Sequence, residues 1–186
     1  MKVILSRKGF DSAFGGYPSP ILPSGEMISL PIPSYEDISY SDVKTGESTY
    51  YNLMKDLEPK IKSDDEWLDL NENIGCHLDP DIHKNSIDRV PGWRPCFGQD
   101  GAAQSHLENQ GVSENDLFLF FGWFRKIRIY NGKREFDPHE KGKHAIFGYL
   151  QIGEIKKVDN EFDIPKWLAY HPHVAEERRN VEPDKT

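Results

Sequence analysis

The sequence predicts a single strand-rich α+β domain, with either a bent sheet or a partly closed β-barrel and a few short helices. Two long apolar runs, residues 117–130 and 144–158, have the length and aromatic content of strands. A proline-rich passage over residues 17–33 is typical of extended chain, because each proline fixes φ and removes an amide donor. Helical spacing appears only in short stretches, so helices are expected to form a minor part.

The chain opens on an apolar run, residues 3–5, which predicts a buried strand leading into a tight polar loop. Residues 21–22 and 27–30 are predicted strand pieces joined by a Pro-Ser-Gly turn. In the second long strand, Gly148 and Gly153 are predicted bends or bulges.

Helical signals are local. Residues 34–49 are expected to form a loop with at most one turn of helix. Residues 48–58 carry apolar side chains at helical spacing, which predicts a short amphipathic helix there. Asp100 can cap a helix over residues 101–110. A last short helix is predicted to begin at Pro165.

The 186 residues are expected to form one domain over residues 1–175 and a solvated tail over residues 176–186. No apolar run approaches the length of a bilayer span and no signal-peptide pattern opens the chain, so a cytoplasmic protein is expected. The two cysteines lack CxxC spacing and are expected to stay reduced.

The net charge of −8 argues against a long groove for duplex nucleic acid, whose phosphates attract basic surfaces. A local basic pocket is compatible with that charge. A free nucleotide, or one extruded base, is therefore an acceptable ligand.

The opening loop is a candidate anion site. Ser6, Arg7 and Lys8 supply a hydroxyl and two cations, and an arginine fork suits phosphate or carboxylate. Asp11 is a candidate base or ribose acceptor. An equally favoured interpretation is that Arg7 and Asp11 pair with each other and hold the loop.

The segment over residues 76–83 carries a second candidate site. In extended chain His77, Asp79, Asp81 and His83 would share one face, giving a nitrogen and oxygen set compatible with Mn, Zn or Fe. His77, Asp79 and Asp81 are the candidate catalytic or metal-binding residues, and a divalent metal is the one cofactor considered. Asp-Pro-Asp is also common in turns, and that structural interpretation is favoured over a metal site.

A third candidate lies before and within the predicted helix over residues 101–110. Arg94 is a candidate phosphate ligand, and the amides of Gln99 and Gln104 can donate to and accept from a base edge. Among the aromatic residues of the first long strand, Trp123 is the one expected to stack on a base. His171 and His173 are interpreted as incidental loop histidines.

Several motifs together resemble one family, the nucleotide modification associated domain 3 family. They are SRKGFDSAFGGYPSPILPSG, CHLDPD, GWRPCFGQDGAAQSHLENQGV, DLFLFFGWFR and HAIFGYLQIGEI. The resemblance implies a setting in phage and bacterial systems that make or handle modified nucleobases, without specifying a reaction. A shorter likeness of the two long strands to PUA-like barrels, including the EVE and ASCH groups, implies a base-binding aromatic pocket.

These observations lead to one main hypothesis and two alternatives. The main hypothesis is a nucleotide- or base-modifying enzyme, with cations on phosphate and Asp11 or the His77 and Asp79 pair in acid–base or metal chemistry. The first alternative is a non-catalytic reader of a modified base. The second is an interaction subunit that works with other modification enzymes.

Overall fold

The computed structural model describes residues 1–158 and 164–175. Within these residues one five-stranded sheet is accompanied by three two-stranded pairings. The elements in chain order are β1 (Val3–Arg7), β2 (Ser19–Ile21), β3 (Pro33–Ser39), β4 (Lys44–Thr45), β5 (Ser48–Thr49), α1 (Tyr50–Leu57), β6 (Lys60–Ser63), β7 (Glu66–Asp69), β8 (Gly75–Cys76), α2 (Gly101–Asn109), β9 (Leu117–Tyr130), β10 (Lys133–Phe136), β11 (Lys143–Gln151) and a 3-10 helix (Lys166–Leu168).

The central strand β9 pairs with all four other strands of the main sheet. Its first half is flanked by parallel β1 and antiparallel β11. Its second half pairs with parallel β2 and with antiparallel β10, which follows it through a short turn. The register of β11 shifts between Ile146 and Gly148, where a bulge is predicted. The predicted strand-rich α+β domain is confirmed, and its sheets remain open rather than closing into a barrel.

The two faces of the main sheet differ because side chains alternate along each strand. Even-numbered side chains of β9 up to Phe124 are buried, and the odd-numbered ones between them are half-buried. In β1 the side chains of Val3 and Leu5 are exposed. The prediction of a buried first strand is therefore wrong: β1 pairs with β9 alone, and its odd-numbered face contacts solvent.

Two apolar cores lie on different parts of the sheet. The larger packs the opening loop against α1 and β6, and its fully buried members include Phe10, Leu53, Met54 and Ile61. The smaller covers the even-numbered face of β9, and it includes Phe118, Phe120, Ile152, Phe97 and Leu107. The smaller core forms the floor of the candidate site described below.

Several element boundaries differ from the sequence predictions. Residues 34–49 contain most of β3 and all of β4 and β5 rather than a loop. The β4–β5 pairing covers two residues of each strand, and β3 pairs with β8 only near its two ends, so neither pairing is long enough to show a hydrophobic period. The second long strand ends at Gln151, and the predicted tail over residues 176–186 lies outside the described residues. Helices α1 and α2 fall within two residues of their predicted ranges. No helix in the described part of the chain is long and apolar enough to cross a membrane.

The packing of the opening loop can be tested at Gly15. Its φ is +82°, and a Cβ there would lie 2.0 Å from the Phe10 ring. Gly25 is a matched control, since its φ is +90° but a Cβ would meet nothing within 4 Å. We expect Gly25→Ala to lower the free energy of unfolding by about 1–2 kcal/mol and Gly15→Ala by about 3 kcal/mol or more. Urea denaturation measures both, and equal losses would contradict the packing described here.

Candidate functional site

A fully buried carboxylate, Asp79, lies at the centre of the candidate site. Its Oδ2 accepts a hydrogen bond from Lys8 Nζ at 2.8 Å. Its Oδ1 accepts one from the Gly98 amide at 2.9 Å. An isolated charge buried in this way would cost several kcal/mol, so its partners hold it in place.

Strand register explains why Lys8 reaches this carboxylate. The Lys8 amide donates to the Phe121 carbonyl at 2.9 Å, which continues the β1–β9 pairing one residue beyond the strand. Ile4 and Ser6 are half-buried while Arg7 is exposed, so alternation turns Lys8 inward and Arg7 outward. The Lys8 ammonium also lies 4.4 Å from the centre of the Phe97 ring.

Three histidines complete the cluster. His171 Nε2 lies 3.3 Å from Asp79 Oδ1, and His173 Nε2 lies 3.7 Å from Asp79 Oδ2. His77 Nε2 lies 3.3 Å from His173 Nε2, and the two rings meet edge to face. On its other side, His173 Nδ1 lies 3.5 Å from Asp100 Oδ2. One ligand atom each from His77, Asp79 and His173 fall within 4.8 Å of one another, so these three residues could hold a metal ion.

The protonation states of the cluster are set by burial and by opposing charges. Burial alone would raise the pKa of Asp79, but His171, His173 and Lys8 outweigh it and hold that pKa well below the usual range. Burial lowers the pKa of His77 to about 4, so its imidazole is neutral at neutral pH. Burial also opposes protonation of His173, but Asp79 and Asp100 raise the pKa of that residue.

A cavity of about 610 Å³ lies against this cluster. Its polar lining includes Arg94, Gln99, Gln104, His171 and His173. Leu107, Phe118, Leu150 and Trp167 supply much of its apolar wall. Arg94, Gln99 and Gln104, which are predicted binding residues, therefore line one cavity. His171 and His173, which are interpreted from the sequence as incidental, line the same cavity.

Two cationic side chains beside the cavity, Arg94 and Lys157, form ion pairs with carboxylates. Arg94 lies 2.9 Å from Glu154, and Lys157 lies 3.3 Å from Glu108. Both pairs are exposed, so each contributes little to stability and is free to exchange partners with a bound anion.

The family model described as nucleotide modification associated domain 3 matches residues 2–185, which is nearly the whole sequence. The chain belongs to this family. No curated protein and no solved structure matches it. Membership associates the chain with nucleotide modification and names no reaction or substrate.

Within this family member, Asp81 has a different environment from Asp79. Its carboxylate is buried and receives two hydrogen bonds from the Arg89 guanidinium, one of them at 2.6 Å. Trp93 Nε1 donates to it at 3.1 Å, and the Tyr170 hydroxyl donates as well. Asp81 thus ties the segment before the cavity to the C-terminal part of the domain. It does not belong to the group of potential metal ligands found in the described residues.

The other predicted residues of the opening loop also fall outside the cluster. Asp11 accepts hydrogen bonds from the Ala13 and Phe14 amides at 2.8 Å, and Arg7 lies 4.0 Å from it. This is the loop-holding arrangement considered above. Ser6 lies in β1, and it does not line the cavity.

Trp123 is likewise separated from the cavity. It is an odd-numbered residue of β9, whereas the cavity lies over the even-numbered face that carries Phe118. Cys96 lines the cavity, but burial first and then Asp81 and Asp79 raise its pKa to about 12. Its thiol is therefore protonated and a poor nucleophile at neutral pH.

Lys8 compensates the buried negative charge of Asp79, and this role is testable. Lys8→Met leaves a buried charge without its cation, so we expect a loss of about 3–5 kcal/mol in the free energy of unfolding. Arg94→Met breaks an exposed pair and should cost at most about 1 kcal/mol. Urea denaturation measures both. Adding Asp79→Asn to Lys8→Met should restore part of the loss, and strictly additive losses would contradict the coupling.

Proposed function

We propose that this chain is a nucleotide- or nucleobase-modifying enzyme of phage or bacterial modification systems, with its reaction centre at Asp79, His77 and His173. The observation that carries the proposal is a buried carboxylate–histidine cluster that reaches the wall of a 610 Å³ cavity through His171 and His173. Family membership supplies the nucleotide setting. Acid–base groups concentrated against a cavity are typical of catalytic sites.

The cavity suits a nucleotide in both size and lining. Its volume falls within the range of about 300–1,000 Å³ that is usual for small-molecule sites. The apolar wall formed by Leu107, Phe118 and Leu150 offers a base dispersion contacts. The amides of Gln99 and Gln104 can donate to and accept from the base edge.

Phosphate is expected at the exposed cations. Arg94 and Lys157 lie beside the cavity and are paired with carboxylates that a phosphate would replace. Arginine binds phosphate through two parallel hydrogen bonds, so Arg94 is the stronger anchor. In this arrangement Lys8 holds Asp79 rather than the phosphate, while Arg7 stays on the opposite side of the strand.

The first test is whether a nucleotide occupies the cavity. Mass spectrometry of small molecules retained on the purified protein, followed by thermal-shift assays with common and modified nucleotides, should identify a ligand. Leu107→Trp fills the cavity and should abolish the thermal shift. His106→Trp is the matched control, because His106 is the exposed neighbour on α2 and does not line the cavity. Equal effects of the two variants would contradict nucleotide binding in the cavity.

The second test separates catalysis from binding. We expect His77→Gln to keep nucleotide affinity within about threefold, because His77 does not line the cavity. It should lower turnover by about 100-fold or more, whether the imidazole transfers a proton or holds a metal ion. His83→Gln is the control, since the His83 side chain is exposed. Mass spectrometry of the nucleotide product measures turnover.

A non-catalytic reader remains the alternative that the cavity favours next. Trp167 lines the cavity, and the Arg94 guanidinium lies 5.4 Å from the centre of its ring. A reader would bind the nucleotide with fluorescence quenching lost in Trp167→Ala, and it would show no turnover. Absence of any nucleotide binding would favour the interaction subunit instead.

A further inference from the structure

We propose that His77, Asp79 and His173 form a site for a divalent first-row transition metal, with Asp100 orienting His173. This inference rests on the proposed function, because it specifies the chemistry of the same reaction centre. It differs from the ligand set suggested by the sequence, since His173 takes the place expected for Asp81.

The ligand atoms of the proposed site converge. His77 Nε2 and His173 Nε2 are 3.3 Å apart, and Asp79 Oδ2 lies 3.7 Å from His173 Nε2. One ligand atom from each of the three residues lies within 4.8 Å of the other two, although the residues come from two distant segments. Metal–nitrogen and metal–oxygen bonds of about 2.0–2.2 Å can span such a set from a common centre.

His173 has a carboxylate, Asp100, next to the ring nitrogen that faces away from the cluster. A histidine that binds a metal through one ring nitrogen usually donates its other N–H to a carboxylate or carbonyl. His173 presents Nε2 to the cluster, while its Nδ1 lies 3.5 Å from Asp100 Oδ2. Asp100 is exposed and is the residue that precedes α2, yet its side chain caps no helix amide. It is therefore free to act as the orienting carboxylate.

The donor types narrow the choice of metal. Two imidazoles and one carboxylate suit Zn²⁺ or Fe²⁺ and leave coordination positions open for water or substrate. Mg²⁺ and Ca²⁺ prefer oxygen ligands, so neither is expected here. Because His173 lines the cavity, the open positions would be available to a molecule bound there.

The ammonium of Lys8 must share the carboxylate with the metal. Asp79 has about four lone-pair positions on its two oxygens. The Gly98 amide uses one on Oδ1, and His171 Nε2 lies 3.3 Å from that same oxygen. Lys8 uses one on Oδ2, so the second position on Oδ2, which faces His173, is the one that a metal would take. With Lys8 balancing Asp79, a dication would leave an excess positive charge near the cluster. An anionic nucleotide in the cavity would compensate that charge, so metal and nucleotide should bind cooperatively.

The experiment measures Zn²⁺ binding by calorimetry and Co²⁺ binding by visible absorption on protein freed of metal with a chelator. Wild type should bind one equivalent. His173→Ala should lower affinity by more than about 100-fold, and Asp100→Asn by about 10–100-fold, as outer partners of metal-binding histidines do. His106→Ala, an exposed histidine on α2, should leave affinity unchanged. Circular dichroism verifies that each variant is folded, and Asp100→Asn keeps the test decisive if His173→Ala unfolds.

The outcomes separate this inference from the proposed function. Failure of wild type to bind Zn²⁺ or Co²⁺, or equal affinities in wild type, His173→Ala and Asp100→Asn, would overturn the metal site. Nucleotide turnover that persists in chelator would also overturn it while leaving the proposed function intact. One equivalent of metal lost in His173→Ala, without nucleotide binding, would support the metal site and refute the proposed function.

Discussion

The negative charge of Asp79 is the constraint on which the candidate site depends. A carboxylate without solvent contact needs compensation from the protein, and here the compensation comes from three separate segments. The end of β1 supplies Lys8, the loop before α2 supplies the Gly98 amide, and the C-terminal part supplies His171 and His173. The geometry of the cluster and the packing of these segments therefore depend on each other.

The period of two along the central strands decides which residues can act together. Lys8 and Arg7 are neighbours in sequence but lie on opposite sides of the sheet edge, so only Lys8 meets the buried carboxylate. The same alternation separates Trp123 from the cavity that Phe118 lines. The open sheet thus has one face that carries the smaller core and the cavity, and another that carries half-buried and exposed apolar side chains.

Local patterns in the sequence were sufficient to predict the long strands, α1 and α2. They also singled out Arg94, Gln99 and Gln104, which the structure places around one cavity. They were insufficient where the outcome depends on contacts between distant segments. His171 and His173 have no local feature that distinguishes a buried cluster from a solvated loop, although their two-residue spacing matches that of His77 and Asp79. The environment of Asp81 could not be predicted either, because no residue near Pro80 indicates that the Asp81 carboxylate turns toward Arg89.

The residues of the cluster are far apart in the sequence, and this affects when the cluster forms during folding. Lys8 and Asp79 are 71 positions apart, and His77 and His173 are 96 apart. Bringing such distant residues together lowers the conformational entropy of the chain before their contacts can compensate for the loss. Topologies with many contacts of this kind fold slowly. The cluster around Asp79 therefore forms only after the two ends of the domain have docked on its middle. Any molecule that binds there selects the completed fold over its incomplete precursors, and it raises the stability of the whole chain by mass action.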